Sequence, residues 1–201
     1  MRKMLVVAAA AAALAWGRDA HAGDTRFDVG LMLGSTRATD EGGTLQFDRA
    51  TTYQATFAWD VWRGDSVKLS IEVPFIASPA FTVLTLGASL PLEYASAFLT
   101  PAARVTVWPR ARVSVFGSIG AGYARYSESK LREDKGPNPA QKDTNAGAFE
   151  VGGGIDVRGF GWLDFRGEVR DIYTGARSFS IPTPGPRVHN VVASGGLVVR
   201  F

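Results

Sequence analysis

Hydrolytic chemistry would depend on very few side chains of this chain. The 201 residues contain no Cys and two His, which excludes thiol nucleophiles, disulfides and Cys-zinc sites. His21 falls in the N-terminal segment 1–22, which has the pattern of a signal peptide. His189 is therefore the candidate base of a Ser–His–acid site, with Ser178 or Ser180 as the nucleophile. Such a site needs a hydroxyl and a carboxylate within hydrogen-bond reach of the His. A lone His where a loop meets a strand is usually solvated, and no His–carboxylate cluster has metal-ligand spacing. We therefore expect no enzyme activity and no cofactor.

Charged side chains offer a second kind of chemistry, because they recur at every second position of several segments. Arg166, Glu168 and Arg170 show the pattern, and side chains at that spacing share one face of a strand. Acids and bases are nearly equal in number on this face, so an enclosed space would allow them to pair. Arg166 and Glu150, on neighbouring segments, are the predicted partners. The predicted members of this ionic network are Lys68, Glu72, Arg104, Glu150, Asp156, Arg158, Arg166, Glu168 and Arg170.

The element that must position these charges is the β-strand. From Arg26 onwards, apolar and polar residues alternate in segments of about ten residues separated by turn signals. Leu163 and Phe165, for example, oppose Asp164 and Arg166. Eight such segments occur, which predicts an all-β chain of eight antiparallel strands. They start at or near Phe27, Tyr53, Val67, Phe98, Arg112, Phe149, Leu163 and Val191.

The connections between these segments alternate between tight and long. The tight connections lie at 63–66, 109–111 and 159–161, and the long ones at 35–51, 77–97, 127–145 and 175–189. Short turns at one end and long loops at the other are typical of up-and-down outer-membrane barrels. The stretch 81–86 is apolar enough to form an additional hairpin, so ten strands remain the alternative around 77–97.

The first 22 residues read as a secretory signal peptide. Arg2 and Lys3 precede the apolar stretch Leu5–Trp16, and Ala20-His21-Ala22 forms a small-x-small cleavage site. The apolar stretch is too short for a membrane-spanning helix. We therefore expect a cleaved signal peptide at 1–22 and a single domain at 23–201. Most of the formal net charge of +3 lies in the removed segment, so no nucleic-acid partner is expected.

The side of the sheet that faces water decides between a soluble barrel and a membrane barrel. Gly and Ser are frequent on the charged face, and such small residues suit a narrow interior filled by long Arg and Glu side chains. Aromatic residues gather at the segment ends, as the two interfaces of a bilayer favour. These features predict a transmembrane barrel. The aromatic residues are Phe27, Trp59, Trp62, Trp108, Phe160, Trp162 and Phe201 at the short-turn ends, and Tyr53, Phe75, Phe98, Tyr123, Phe149 and Tyr173 at the loop ends.

The C-terminal segment Gly195–Phe201 resembles the last strand of outer-membrane barrels. In those proteins a terminal aromatic residue, preceded by alternate apolar residues, is read by the barrel-assembly machinery. Leu197, Val199 and Phe201 match that assembly signal. Together with the stretches 98–104, 120–125 and 166–175, the chain resembles the OmpA/OmpX-like outer-membrane β-barrel domain family over nearly all of the mature sequence.

This resemblance implies eight antiparallel strands and an outer-membrane location after export, but no single activity, because the family includes adhesins, structural anchors and uncharacterised proteins. We expect a monomer with a charge-plugged lumen, in contact with outer-membrane lipids. Its role would be structural, or would lie in a surface ligand bound by the loops. A small passive channel and a lipid-modifying enzyme are the alternatives.

Overall fold

The computed structural model describes residues 26–40, 46–47, 49–84, 93–130, 137, 143–175 and 187–201. The predicted signal peptide at 1–22, Ser178 and Ser180 lie outside these residues. Among the described residues, no helix is long and apolar enough to cross a membrane.

The described residues fold into antiparallel strands that close on themselves. The final strand pairs with the first, and every other strand pairs with its neighbours along the chain. The segments are β1 (Phe27–Asp40), β2 (Gln46–Phe47), β3 (Ala50–Arg63), β4 (Val67–Leu84), β5 (Glu93–Leu99), β6 (Ala102–Val107), β7 (Val113–Glu128), β8 (Asp143–Arg158), β9 (Leu163–Gly175) and β10 (Arg187–Arg200).

These segments amount to eight barrel strands. β5 and β6 are two halves of one strand, because both pair with β4 on one side and β7 on the other, and the register of Phe75 with Leu99 continues to Glu72 with Ala102. They separate at Pro101, which has no N–H to donate. β2 has two residues and pairs beyond the barrel body with β1 and β4. The eight-stranded prediction is confirmed, and the ten-stranded alternative is wrong.

The barrel is apolar outside and polar inside, which is the arrangement of membrane barrels and the inverse of a soluble one. Along β9, Asp164, Arg166, Glu168 and Arg170 are buried, whereas the residues between them are not. Exposed apolar residues cover the outer face of all eight strands, among them Leu31, Leu33, Phe57, Leu69, Ile71, Phe75, Leu99, Val105, Val115, Ile119, Val151, Ile155, Phe165, Val169 and Leu197.

The aromatic residues follow the two predicted girdles with one exception. Trp59, Trp62 and Trp108 are exposed at the short-turn end, and Tyr53 and Tyr123 at the loop end. Phe98 was wrongly predicted to lie in the outer girdle, because it is 1% exposed and points into the barrel. It shares the even-numbered face of its strand with Thr100 and Arg104, and that alternation could have revealed its direction.

Candidate functional site: the barrel interior

Arg170 is the centre of the upper part of the ionic network. Its guanidinium donates hydrogen bonds to Glu72, Glu150 and Glu168, which come from three different strands. Glu150 also accepts a hydrogen bond from the Thr100 hydroxyl. All of these side chains are at least 95% buried. Since an isolated buried ion is strongly unfavourable, Arg170 and the carboxylates around it stabilise each other only as a set.

Gln54 extends the cluster around Arg170 across the lumen. The Gln54 side-chain amide donates to Glu168 at 2.5 Å, and its carbonyl accepts a hydrogen bond from the Ser194 hydroxyl at 3.0 Å. Arg170, Glu168, Gln54 and Ser194 therefore connect β9, β3 and β10 through the bore.

A second layer lies closer to the short turns and is built on two arginines. Arg166 forms a bidentate pair with Asp156, at 2.7 and 2.9 Å, and the two residues are directly opposite each other on β9 and β8. Arg104 donates to Glu72 at 2.7 Å and to Asp28 at 3.1 Å. Because Glu72 contacts Arg170 as well, it links the two layers.

The two arginines of this layer contact the same aromatic ring. The guanidinium carbons of Arg104 and Arg166 lie 4.9 and 4.8 Å from the centroid of the buried Phe116 ring. Cation–π attraction therefore offsets part of the repulsion between two like charges in this small volume.

The layer nearest the short turns contains charges that were not assigned to the predicted network. The Lys68 ammonium lies 3.3 Å from Asp28 and 3.1 Å from Asp60. Arg200 lies 2.5 Å from Asp164 and 3.4 Å from Asp156. The alternation of the sequence had placed Asp28, Asp60, Asp164 and Arg200 on the inward face, although the predicted network did not include them.

The structure therefore brings together Lys68, Glu72, Arg104, Glu150, Asp156, Arg166, Glu168 and Arg170, but it leaves out Arg158. The assignment of Arg158 to the network was wrong. Its side chain is exposed at the end of β8 and donates to the backbone carbonyls of Pro109 and Arg110 in a neighbouring short turn. The predicted Arg166–Glu150 pair is also wrong, because Arg166 pairs with Asp156.

Two glycines make room for these long side chains. A Cβ atom on Gly152 would lie 2.8 Å from the Ser118 hydroxyl and 3.0 Å from Cγ of Arg170. One on Gly154 would lie 2.7 Å from the Phe116 ring and 2.4 Å from the Gly167 carbonyl oxygen. The predicted link between small inward residues and a crowded interior therefore has a specific basis at these two positions.

The loop half of the interior contains a layer of apolar side chains, which sequence reasoning missed. Phe98, Tyr94 and Tyr126 pack together, with the Phe98 and Tyr126 ring centroids 5.8 Å apart. The Tyr126 hydroxyl is satisfied by Thr174 at 2.9 Å and by Asn190 at 3.3 Å. The buried members of this apolar layer are Ala38, Ala50, Ile76, Tyr94, Phe98, Ala124, Tyr126, Ala148, Ile172, Val188 and Val192.

His189 satisfies half of the geometric condition for a hydrolytic site. Its Nδ1 lies 2.8 Å from an Asp171 carboxylate oxygen, on the outer surface of the barrel. Within the part of the chain that the structure describes, no hydroxyl hydrogen-bonds to the ring. In the same residues, no group of three or more His, Cys, Asp or Glu is arranged to hold a metal ion.

The residues of the predicted assembly signal lie along the closing seam. Leu197 is 44% exposed on the outer face. The backbone N–H of Phe201 donates to the Phe27 carbonyl at 2.9 Å, and the Phe27 N–H donates back at 3.3 Å. Phe201 therefore completes the hydrogen bonding between the last strand and the first.

No family model matches the chain. A search of curated proteins also gave no match. Among solved structures, the chain is similar to Neisserial surface protein A (NspA), with a TM-score of 0.60, 12% identity, and coverage of 87% of this chain and 97% of that one.

Two further solved structures have the same architecture. The first is Ail, the attachment invasion locus protein of Yersinia pestis, in complex with the heparin analogue sucrose octasulfate; its TM-score is 0.53 at 11% identity, with 87% of this chain and 99% of that one covered. The second is the N-terminal β-barrel domain of Pseudomonas aeruginosa OprF, with a TM-score of 0.51, 10% identity, and coverage of 89% and 100%. With its closed sheet, apolar exterior and charged interior, the chain has the fold of the OmpA/OmpX-like eight-stranded outer-membrane barrels.

Proposed function

We propose that this protein is a monomeric outer-membrane barrel that does not conduct ions and acts through its long loops, in a structural or ligand-binding role. The observation that carries the proposal is the filled lumen. Arg104 and Arg170 in the ionic layers, and Phe98 and Tyr126 in the apolar layer, are each no more than 1% exposed. An eight-stranded barrel has an interior just wide enough for side chains, and here those side chains contact one another across it.

Four features support the location and the oligomeric state. The outer face is apolar, which suits contact with lipid and not with water. Neisserial surface protein A, which has a similar fold, is named as a surface protein. Phe201, with Leu197 and Val199, fits the signal read by the barrel-assembly machinery. Because β10 pairs with β1, the sheet has no open edge for a second copy to join.

The closed lumen is tested by planar-bilayer recording of the folded protein. We expect little or no steady conductance, because ions would have to pass both the ionic layers and the apolar layer. The double variant Phe98→Ala, Tyr126→Ala is recorded beside it. This variant lacks two large side chains of the apolar layer, so any conductance through the lumen is easier to detect in it. A stable channel of nanosiemens size in the unmodified protein would contradict the proposal and favour the passive channel.

The role of the loops is tested by pull-down experiments. Folded protein and four variants, each with one long connection shortened, are immobilised in detergent and incubated with envelope and culture-medium extracts. We expect at least one captured molecule to be lost on shortening one connection and kept by the other three variants. If all five samples capture the same molecules, binding does not depend on the loops.

The alternative of a lipid-modifying enzyme rests on one observation, the 2.8 Å contact between His189 and Asp171. The proposal gives His189 no catalytic role. Mass spectrometry of lipids from cells that express the unmodified protein or His189→Ala should therefore give the same profile. A lipid product that depends on His189 would favour the enzyme instead.

A further inference from the structure

Three arginines and a phenylalanine lie in the two short turns that connect β6 to β7 and β8 to β9. The backbone N–H of Arg158 donates to the Arg112 carbonyl oxygen at 2.8 Å, so these two residues are cross-strand neighbours. The Arg158 guanidinium donates to the backbone carbonyls of Pro109 and Arg110, at 3.0 Å each. Phe160 lies in the turn that follows Arg158. We call Arg110, Arg112, Arg158 and Phe160 the turn-end patch.

Arg112 and Arg158 belong to the mouth of the barrel and not to its lipid-facing surface. Ser114 and Asp156, two residues away from them on β7 and β8, are buried in the lumen. Successive side chains of a strand point to opposite faces, so the two arginines have the direction of these buried residues. Val113, next to Arg112, is 48% exposed on the outer face. The arginines therefore lie at the turn end of the lumen, which in outer-membrane barrels faces the periplasm.

Arg112 and Arg110 are accessible to a molecule that approaches from the turn side. In the part of the chain that the structure describes, the exposed Arg112 side chain makes no ion pair or hydrogen bond. Arg110 is paired with Asp65 in the neighbouring turn, but the two side chains are 69% and 85% exposed. Water and salt screen an ion pair of this kind, so it contributes little and is readily exchanged.

Arg158 adds positive charge beside Arg112. Its guanidinium is bonded to neutral backbone carbonyls, which orient the group without cancelling its charge. Asp164 lies opposite Arg158 on β9, but its carboxylate is 2.5 Å from the Arg200 guanidinium. The three arginines of the turn-end patch therefore face two carboxylates, one of which is shared with Arg200.

Phe160 gives the turn-end patch an apolar anchor. It is 82% exposed, more than any other large apolar side chain of the described residues. Its turn is well defined, because the Leu163 N–H donates to the Phe160 carbonyl at 3.0 Å, and Gly161 has a φ of 57°, which favours glycine. Aromatic residues and arginines are the side chains that contribute most to protein-binding surfaces.

We propose that the turn-end patch binds an acidic peptide segment of a periplasmic partner. Carboxylates of the segment contact Arg112 and Arg158, since the forked guanidinium matches a carboxylate in a bidentate manner, and an apolar side chain packs on Phe160. The position of the arginines at the barrel mouth favours a peptide over a membrane surface. This inference rests on the proposed membrane location, but it does not depend on a closed lumen or on the long loops.

The test measures peptide binding to the folded mature protein in phosphatidylcholine nanodiscs, by fluorescence anisotropy. The probes are a labelled peptide of Glu-Gly-Leu repeats and the same peptide with Gln in place of Glu. The test variants are Arg112→Gln and the double variant Arg112→Gln, Arg158→Gln. The matched control is Arg125→Gln, which removes an exposed arginine from the loop end of the barrel. Heat-dependent gel mobility checks that each sample is folded.

We expect the Glu peptide to bind at least about fivefold more tightly than the Gln peptide at low ionic strength, since several exposed ion pairs together are worth a factor of this size. Added salt should reduce the preference. Arg112→Gln should weaken it, the double variant should abolish it, and Arg125→Gln should keep it. Phe160→Ser should weaken the binding of both peptides by a similar factor. Arg112→Gln alone decides the test if loss of the Arg158 bonds prevents folding.

Equal binding of the two peptides, an unchanged preference in Arg112→Gln, or a preference lost equally in Arg125→Gln would each overturn the inference. Native mass spectrometry with phosphatidylglycerol and phosphatidylcholine in a neutral detergent examines the membrane as the partner. A preference for phosphatidylglycerol that disappears in the double variant, with no preference for the Glu peptide, would assign the patch to the membrane surface instead. The proposed function would fail separately, through open conductance or loop-independent binding.

Discussion

Gly154 shows how little free volume the interior has at the scale of a residue. A Cβ atom there would lie 2.4 Å from the backbone carbonyl of Gly167, which cannot move without displacing β9, and 2.7 Å from the Phe116 ring. Gly154→Ala should therefore lower the free energy of unfolding by about 1–3 kcal/mol, as overpacking of a filled core does. Denaturant unfolding of the protein folded into lipid vesicles measures the change.

Gly167 is the matched control for this substitution. It lies on the adjacent strand, and a Cβ atom there would meet nothing within 4 Å. Gly167→Ala should leave the free energy of unfolding nearly unchanged. If both variants are equally destabilised, the lower free energy of unfolding results from replacing a glycine in the strand backbone and not from crowding in the lumen.

The Arg166–Asp156 pair allows the ionic network to be tested by a double-mutant cycle. Arg166→Ala or Asp156→Ala alone should cost about 3–5 kcal/mol, because each leaves an uncompensated buried charge. The double variant should cost much less than the sum of the two. The unfolding free energies of the four proteins give the coupling, and additive losses would mean that the two side chains do not act as a pair.

The exposed Arg125–Asp143 pair serves as the comparison for that cycle. It has a normal contact distance of 2.9 Å, but both side chains are about half exposed, so water and salt screen the attraction. Neither single substitution should change stability measurably. A large effect there would show that burial is not what gives the interior pairs their importance.

Residue direction could be predicted from the sequence, whereas residue partners could not. Strict alternation correctly placed Glu72, Arg104 and Arg170 inside, because successive side chains of a strand point to opposite faces. The partner of Arg166 depends on the register of β8 against β9, which is set by the turn geometry at 159–162 and not by the pattern. Arg158 has the inward parity of Asp156, but it lies at the strand end, where turn carbonyls are within its reach.

At the scale of the element, each strand has one face for lipid and one for the lumen. Ile119 lies within β7 and is 54% exposed, while Val113 begins the same strand and is 48% exposed. Ile119→Arg should reduce the unfolding free energy in lipid vesicles by about 2–4 kcal/mol, and Val113→Arg by about 0–1 kcal/mol, because the cost of a charge depends on its depth in the bilayer.

The difference between these two variants is the informative quantity, because both replace an aliphatic residue on one face of one strand. Equal penalties would contradict a bilayer around the barrel and would instead indicate a surface whose exposure to water is uniform along β7. Repeating the pair in micelles and in bilayers distinguishes the effect of depth from that of local packing.

Strand number and closure were also accessible from the sequence, but the apolar layer inside the barrel was not recognised. The prediction took charged residues as the mark of the inward face, and that works only for the short-turn half of each strand. On β9 the inward series continues from Arg170 to Ile172 and Thr174. The alternation along the strand places Ile172 inside, whereas its apolar side chain would suggest the lipid side. The structure places it inside, so the position in the alternation predicts side-chain direction better than residue type does.

At the scale of the whole molecule, Phe201 combines an observed contact with a predicted role in assembly, and an experiment can separate the two. It bonds to Phe27 across the closing seam, and it resembles the residue read during barrel assembly. Deleting Phe201 should lower the amount of protein in the outer membrane and increase its degradation in the periplasm. Quantitative blots of membrane and periplasmic fractions measure both.

Phe201→Tyr is the control for the deletion, because it keeps the backbone hydrogen bonds and an aromatic ring. Its outer-membrane level should match that of the unmodified protein. Phe201→Ala keeps the backbone bonds but loses the ring, so a reduced level in this variant assigns the defect to the side chain. An unchanged level in the deletion variant would show that the terminal motif has no part in assembly.

The hydrogen bonds between Phe27 and Phe201 also mean that closure of the barrel does not depend on which connection contains the two ends of the chain. The two residues exchange backbone hydrogen bonds at one rim, so a short peptide linking them would span only a small gap, and new ends could be opened in any of the long connections. Such circularly permuted chains would keep every strand neighbour while moving Phe201 to the interior of the sequence. They would therefore separate the contribution of Phe201 to closure of the sheet from the effect of its position along the chain.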